Sequence, residues 1–131
     1  MTRPTPVQDV THVEKPWGHE EIFALVEGAY CGKTIHITAG HSLSLQYHDA
    51  KDETVSVLSG RVALELGPDT SSLERLEIGP GQSVHVPPKA LHRLTAVTDA
   101  VLLEASTAGP GWREDVVRLE DRYGREGTSA P

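Results

Sequence analysis

Three side chains able to hold a metal ion or move a proton crowd into SLQYHDAKDET, residues 44–54: the amide of Gln46, the imidazole of His48 and the carboxylate of Glu53. Gln46 and His48 stand two apart, so on a strand they share a face, with Leu43, Leu45 and Tyr47 directed to the other. The polar DAKD turn would return Glu53 to that same face on the next strand. A fourth donor lies in GQSVHVPPKALHRL, residues 81–94, where Gly81 and the Pro87-Pro88 pair bracket a short strand and a turn before His92. An amide oxygen, two imidazoles and a carboxylate form a mixed nitrogen and oxygen set that leaves positions open for water or substrate. The cofactor expected is a divalent metal ion, zinc first, with manganese, iron, cobalt or nickel as alternatives.

Other residues compete for the same roles. His36 and His85 sit within alternating strands and His41 follows Gly40 in a turn, so each reads first as a hydrogen-bonded barrel or surface residue; His12 and His19 read as solvated. Cys31 has no basic cluster or helix terminus beside it in sequence and reads as a small strand residue, not a reactive thiol. Trp17, in KPWG, reads as a packing anchor, and Trp112, in GPGWRED, as a loop residue equally suited to a dimer contact.

The elements that must position these groups are strands. EEIFALV (20–26), KTIHIT (33–38), SLSLQYH (42–48), TVSVLSGRVALEL (54–66), LERLEI (73–78), SVHVP (83–87), HRLTAV (92–97), AVLLEAS (100–106) and DVVRL (115–119) alternate apolar and polar residues, separated by Gly, Pro and Asp. Eight or nine one-sided strands in 131 residues require facing or closed sheets, and a double-sheet jelly roll is the expected all-β architecture. Residues 15–125 form one domain, flanked by polar segments expected to be mobile tails at 1–14 and 126–131. One cysteine excludes an internal disulfide and a multi-cysteine metal site. With no signal-like or membrane-spanning apolar run, the expected compartment is the cytoplasm. Twelve Lys and Arg against 19 Asp and Glu, a net charge of −7 without a basic block, argue against nucleic acid or a membrane as partner. A small anionic substrate needs only a local pair of cations.

The spacing Gly40, Gln46, His48, Glu53, Gly60 resembles the first cupin motif, with Gln46 in place of its first histidine, and Gly81, Pro87, His92 resembles most of the second. Lys89 and Ala96 stand where that second motif has glycine and asparagine. KPWGHEE (15–21), LSLQYH (43–48), HVPPKALHRL (85–94) and DVVRLEDRYGR (115–125) resemble, in order, segments of the type II phosphomannose isomerase cupin domain, a domain also found fused to mannose-1-phosphate guanylyltransferase.

The resemblance implies a jelly-roll cupin barrel, often a homodimer, holding a metal through Gln46, His48, Glu53 and His92. It implies aldose–ketose isomerisation of a sugar or sugar phosphate, and Lys33 and Arg93 match family positions suited to phosphate binding or support of the site. Where the family often reads QMHHHRAEHW this chain reads QYHDAKDETV, placing Ala50 and Lys51 at its His and Arg. That change of neighbourhood keeps two other readings open, a non-catalytic sugar-binding or partner module and an iron-dependent cupin dioxygenase.

Overall fold

A computed structural model describes residues 7–130. Those residues form eleven strands and no helix, hence none long and apolar enough to cross a membrane. The strands are β1 (Thr11–Lys15), β2 (Gly18–Val26), β3 (Tyr30–Ile37), β4 (Leu45–Tyr47), β5 (Glu53–Ser59), β6 (Val62–Gly67), β7 (Glu74–Ile78), β8 (Ser83–Val86), β9 (Leu91–Ala96), β10 (Ala100–Thr107) and β11 (Val117–Glu120). Six lie in one antiparallel sheet, in the order β1-β2-β3-β10-β5-β8, and five in a second, β11-β4-β9-β6-β7. This is the expected jelly roll: each sheet has one apolar face, and stacking the two removes both from water.

The alternating segment 54–66 is two strands, because Gly60 turns the chain between β5 and β6. Its φ of +81° lies in the left-handed region, and a Cβ there would run into the Asp99 carbonyl oxygen. The segment expected to be a tail before residue 15 is in part a strand. Thr11–Lys15 pairs with Gly18–Ile22 through backbone hydrogen bonds that need no apolar alternation. Residues 1–6 and 131 of the expected tails lie outside the described residues. Behind β11, the Gly127 amide and the Thr128 carbonyl bond back to Arg118 at 3.2 and 2.9 Å, so the described part of 126–131 folds against the barrel.

Four strands share one pattern that sets up everything below. Reading inward-facing positions only, β3 passes from Ile37 and Ile35 to Lys33, and β5 from Val57 and Val55 to Glu53. Likewise β9 passes from Ala96 and Leu94 to His92, and β10 from Leu102 to Glu104. The first members of each series pack with Val62, Leu64, Ile78 and Trp17 into one apolar core, in which Leu102 and Leu64 are wholly buried. One further step along each strand, the interior turns polar.

Candidate metal centre

That polar end is a cavity of about 240 Å³ between the two sheets. Within β4 the alternation directs Gln46 inward, but Leu43 also lines the cavity, contrary to the shared parity of 43 and 45. The reason is local: residues 43 and 44 are not strand, and the break resets the alternation before Leu45. His48 follows directly after β4, Glu53 opens β5, and His92 lies on β9 with its backbone paired to Gln46.

His48, Glu53 and His92 are all buried and offer ligand atoms within 4.8 Å of one another. Glu53 Oε1 stands 3.3 Å from His92 Nε2 and 3.6 Å from His48 Nε2. Each ring is aimed by its other nitrogen. His48 Nδ1 donates to the Asp115 carbonyl at 2.6 Å, and His92 Nδ1 to the Ala90 carbonyl at 3.0 Å. A carbonyl only accepts, so the proton of each neutral ring sits on Nδ1 and the Nε2 lone pair points into the cavity. This is the outer-sphere arrangement that fixes metal-binding histidines. His48 Nε2 is buried and has no hydrogen-bond partner, an arrangement that costs free energy unless something in the cavity binds it. Gln46 lines the same cavity, its amide oxygen accepting from Ser44 Oγ at 2.5 Å.

Behind Glu53 lies Lys51, buried, its ammonium 3.1 Å from Glu53 and 3.2 Å from Glu104. Burial works against the Lys51 charge, yet the Glu104 and Glu53 carboxylates more than offset it and raise the pKa, so Lys51 stays a cation. Burial likewise acts to raise the Glu53 carboxyl, but the Lys51 ammonium beside it holds it well below the usual carboxylate range. Burial pushes the Glu104 carboxyl up.

The turn that joins His48 to Glu53 is held by a residue the sequence reading passed over. Asp115 accepts the backbone N–H groups of Asp49, Ala50 and Lys51 at 2.7, 3.0 and 2.9 Å, while its own carbonyl holds His48. Its only sequence signal is its place at the head of the DVVR segment.

Of the other candidates, Lys33 lines the cavity, 3.3 Å from Glu20. Arg93 does not reach it. As the neighbour of His92 on a strand it faces outward, bonded to Glu65 at 3.0 and 3.1 Å and to Glu120 at 3.3 Å. His36 stacks on His19 outside the barrel, His85 pairs with Asp52 at 2.6 Å, and His41 meets the Tyr123 hydroxyl at 2.7 Å; none lines the cavity. His12, His19 and Glu21 form a second close group, on the outer face of β1 and β2. Burial raises the Cys31 thiol pKa, which makes it a poor nucleophile. Trp17 is a core anchor, 2% exposed, and both it and Trp112 line the cavity.

Comparison with known proteins agrees with this architecture. Mannose-1-phosphate guanylyltransferase ManC of Salmonella typhimurium is 30% identical over 115 residues, covering 86% of this chain and 23% of the relative. Alginate biosynthesis protein AlgA of Pseudomonas putida is 29% identical over 126 residues, 95% of this chain and 25% of the relative. The chain thus spans about a quarter of the length of the curated relatives it matches. Oxalate decarboxylase from Bacillus subtilis shares the fold at a TM-score of 0.74 and 14% identity, over 85% of this chain and 30% of that one. KdgF from Halomonas sp. does so at 0.63 and 18%, over 77% of this chain and 88% of that one. With residues 33–105 matching the cupin domain family, over a jelly roll whose polar end gathers His48, Glu53 and His92, the chain belongs to the cupins.

Proposed function

We propose that this cupin binds a divalent metal through His48, Glu53 and His92, with Gln46 as fourth donor, and isomerises a small aldose phosphate to its ketose. The observation that carries the reading is the buried trio within 4.8 Å, in which His48 Nε2 is left without a partner. The donor set fits zinc or manganese: two imidazoles presenting Nε2 lone pairs beside a carboxylate already deprotonated. The similarity to a mannose-1-phosphate guanylyltransferase and to alginate and xanthan biosynthesis proteins supports a sugar phosphate as substrate class. A cavity of about 240 Å³ suits one sugar ring better than a nucleotide-linked sugar, since sites for larger ligands run to roughly 300–1,000 Å³.

Such an isomerisation moves a proton between adjacent carbons through an enediolate. A divalent ion held by His48, Glu53, His92 and Gln46 would supply Lewis-acid polarisation of the substrate's oxygens. The protein's part is to hold that geometry. Asp115 fixes the 49–51 turn and aims His48, Lys51 orients Glu53 while remaining charged, and Trp112 walls the cavity. Because Lys51 keeps its proton, it acts as an orienting cation and not as a general base.

The test is metal analysis of protein purified without chelator, followed by turnover of mannose 6-phosphate. One interior equivalent is expected, lost in His48→Ala and His92→Ala and kept in His12→Ala, with turnover lost alongside it. Protein with no stoichiometric metal, and no thermal stabilisation by zinc, manganese, cobalt or iron, refutes the reading. One observation favours a non-catalytic binding module instead. Lys51, buried between Glu53 and Glu104, already supplies a cation beside the trio. Turnover that depends on His48 excludes that module.

A further inference from the structure

The alternation that sends Val13, Lys15, Glu20, Ile22, Lys33 and Ile35 into the cavity wall sends their neighbours to the outer face of the same three strands. Strand register aligns those neighbours in two rows. Glu14, His19 and His36 stand side by side across β1, β2 and β3, and His12, Glu21 and Thr34 form the row beside them. The rows close on one another: the His12 and His19 rings stack with centroids 4.6 Å apart, and the His19 and His36 rings at 4.2 Å.

His12, His19 and Glu21 offer ligand atoms that all lie within 4.8 Å of one another, the same closeness as in the interior trio. Bonds of about 2.0–2.2 Å to a tetrahedral zinc set ligand atoms roughly 3.3–3.6 Å apart. His19 Nε2 and Glu21 Oε1, at 3.6 Å, already meet that spacing. The His12 side chain is half exposed, so a small rotation closes the remaining gap with little packing to disturb. Neighbouring groups hold the three in place. Glu14 Oε1 lies 2.5 Å from His12 Nε2, Thr34 Oγ1 donates to Glu21 Oε2 at 3.4 Å, and the His36 ring backs that of His19. Partners of this kind orient metal ligands.

We propose that His12, His19 and Glu21 bind a second divalent ion, of the zinc and copper class, on the outside of the barrel. Two imidazoles and a carboxylate favour those metals over magnesium or calcium, which prefer six or more oxygens. β1 is the edge strand of its sheet, and its inner face supplies Val13 and Lys15 to the cavity. An ion joining His12 to His19 and Glu21 therefore pins that edge to β2 and fixes one wall of the cavity. The site uses no residue of the interior trio and stands independently of the isomerase reading.

Zinc titrated calorimetrically into the chelator-treated, tag-free full chain tests it, with His12→Ala and His19→Ala beside the parent. Neither ring belongs to the core, so both variants should fold. The parent should take one more zinc than either variant, or hold that zinc at least about tenfold more tightly. Equimolar magnesium should leave it in place, and zinc should slow amide exchange over residues 11–15 in the parent but not in His12→Ala. One zinc in the parent and none in His12→Ala would support the outer site while sinking the interior reading alone. Equal zinc binding by the parent and both variants, displacement by equimolar magnesium, or equal slowing of 11–15 in His12→Ala overturns the proposal.

Discussion

Replacing Asp115 with alanine removes the acceptor for three backbone N–H groups in the turn that carries His48 to Glu53. Two of those donors, on Asp49 and Ala50, belong to exposed residues and can turn to water, at about 0.5–1 kcal/mol each. The third belongs to buried Lys51, and an unsatisfied buried donor costs about 1–3 kcal/mol. Asp115→Ala should therefore destabilise the domain by about 2–5 kcal/mol, read as a shift of the urea midpoint by tryptophan fluorescence. Asp115→Asn, retaining one carbonyl oxygen, should fall between it and the parent. Because Lys51 and Glu53 ride on this turn, metal affinity should also drop about 10–100-fold in the alanine variant. The pH dependence adds a signature. Burial acts to raise the Asp115 carboxyl, but the three N–H groups outweigh it and hold the pKa below the usual value. The stability this group supplies is thus complete above the unfolded value of about 3.9 and is lost as pH falls through the lower folded value. Asp115→Asn should lack that acid-side loss. An alanine variant within about 0.5 kcal/mol of the parent, with metal affinity unchanged, would show that the turn holds itself and that the reasoning is wrong.

Three further outcomes follow from the same contacts. Lys51→Met leaves Glu53 and Glu104 buried without their shared cation, and the metal-free protein should lose about 3–5 kcal/mol in urea unfolding, with part recovered on adding zinc or manganese. Arg93→Ala removes a partly exposed pair on the outer face and should cost about 1 kcal/mol or less, with metal binding intact by calorimetry. Lys89, the one described non-glycine residue with positive φ, at +69°, has an exposed side chain, so Lys89→Gly should raise stability by roughly 0.5–1 kcal/mol by chemical denaturation.

Much of the barrel could be read from alternation alone, since nine apolar-polar segments account for ten of the eleven strands. β1 escaped because its residues are mostly exposed and its pairing to β2 is a backbone matter that side-chain pattern does not encode. Gln46, His48, Glu53 and His92 were legible because motif spacing survives in the chain. Lys89 explains one departure, for it occupies a left-handed position where glycine would be unstrained, and the backbone keeps its shape regardless. Arg93 faces away from the cavity because adjacency to His92 on a strand means opposite faces, a point that motif spacing does not convey. Asp115 was missed because its partners lie 64 to 66 residues earlier in the chain, a distance no local pattern spans. The outer group of imidazoles was missed for a related reason: His12 and His19 read singly as solvated, and they meet His36 only when β1, β2 and β3 pair.

The single inward step at which β3, β5, β9 and β10 pass from apolar to polar draws a waterline across the barrel. Above it Ile35, Val55, Leu94 and Leu102 carry cohesion; below it Lys33, Glu53, His92 and Glu104 supply charged and ligating groups. Ile35, Val55 and Leu94 belong to the core and also line the cavity, but the charged groups stand one step beyond them, so selection can rewrite the lower tier while the upper tier keeps the two sheets clamped. A barrel divided in this manner is a vessel whose contents can be changed without recasting its walls.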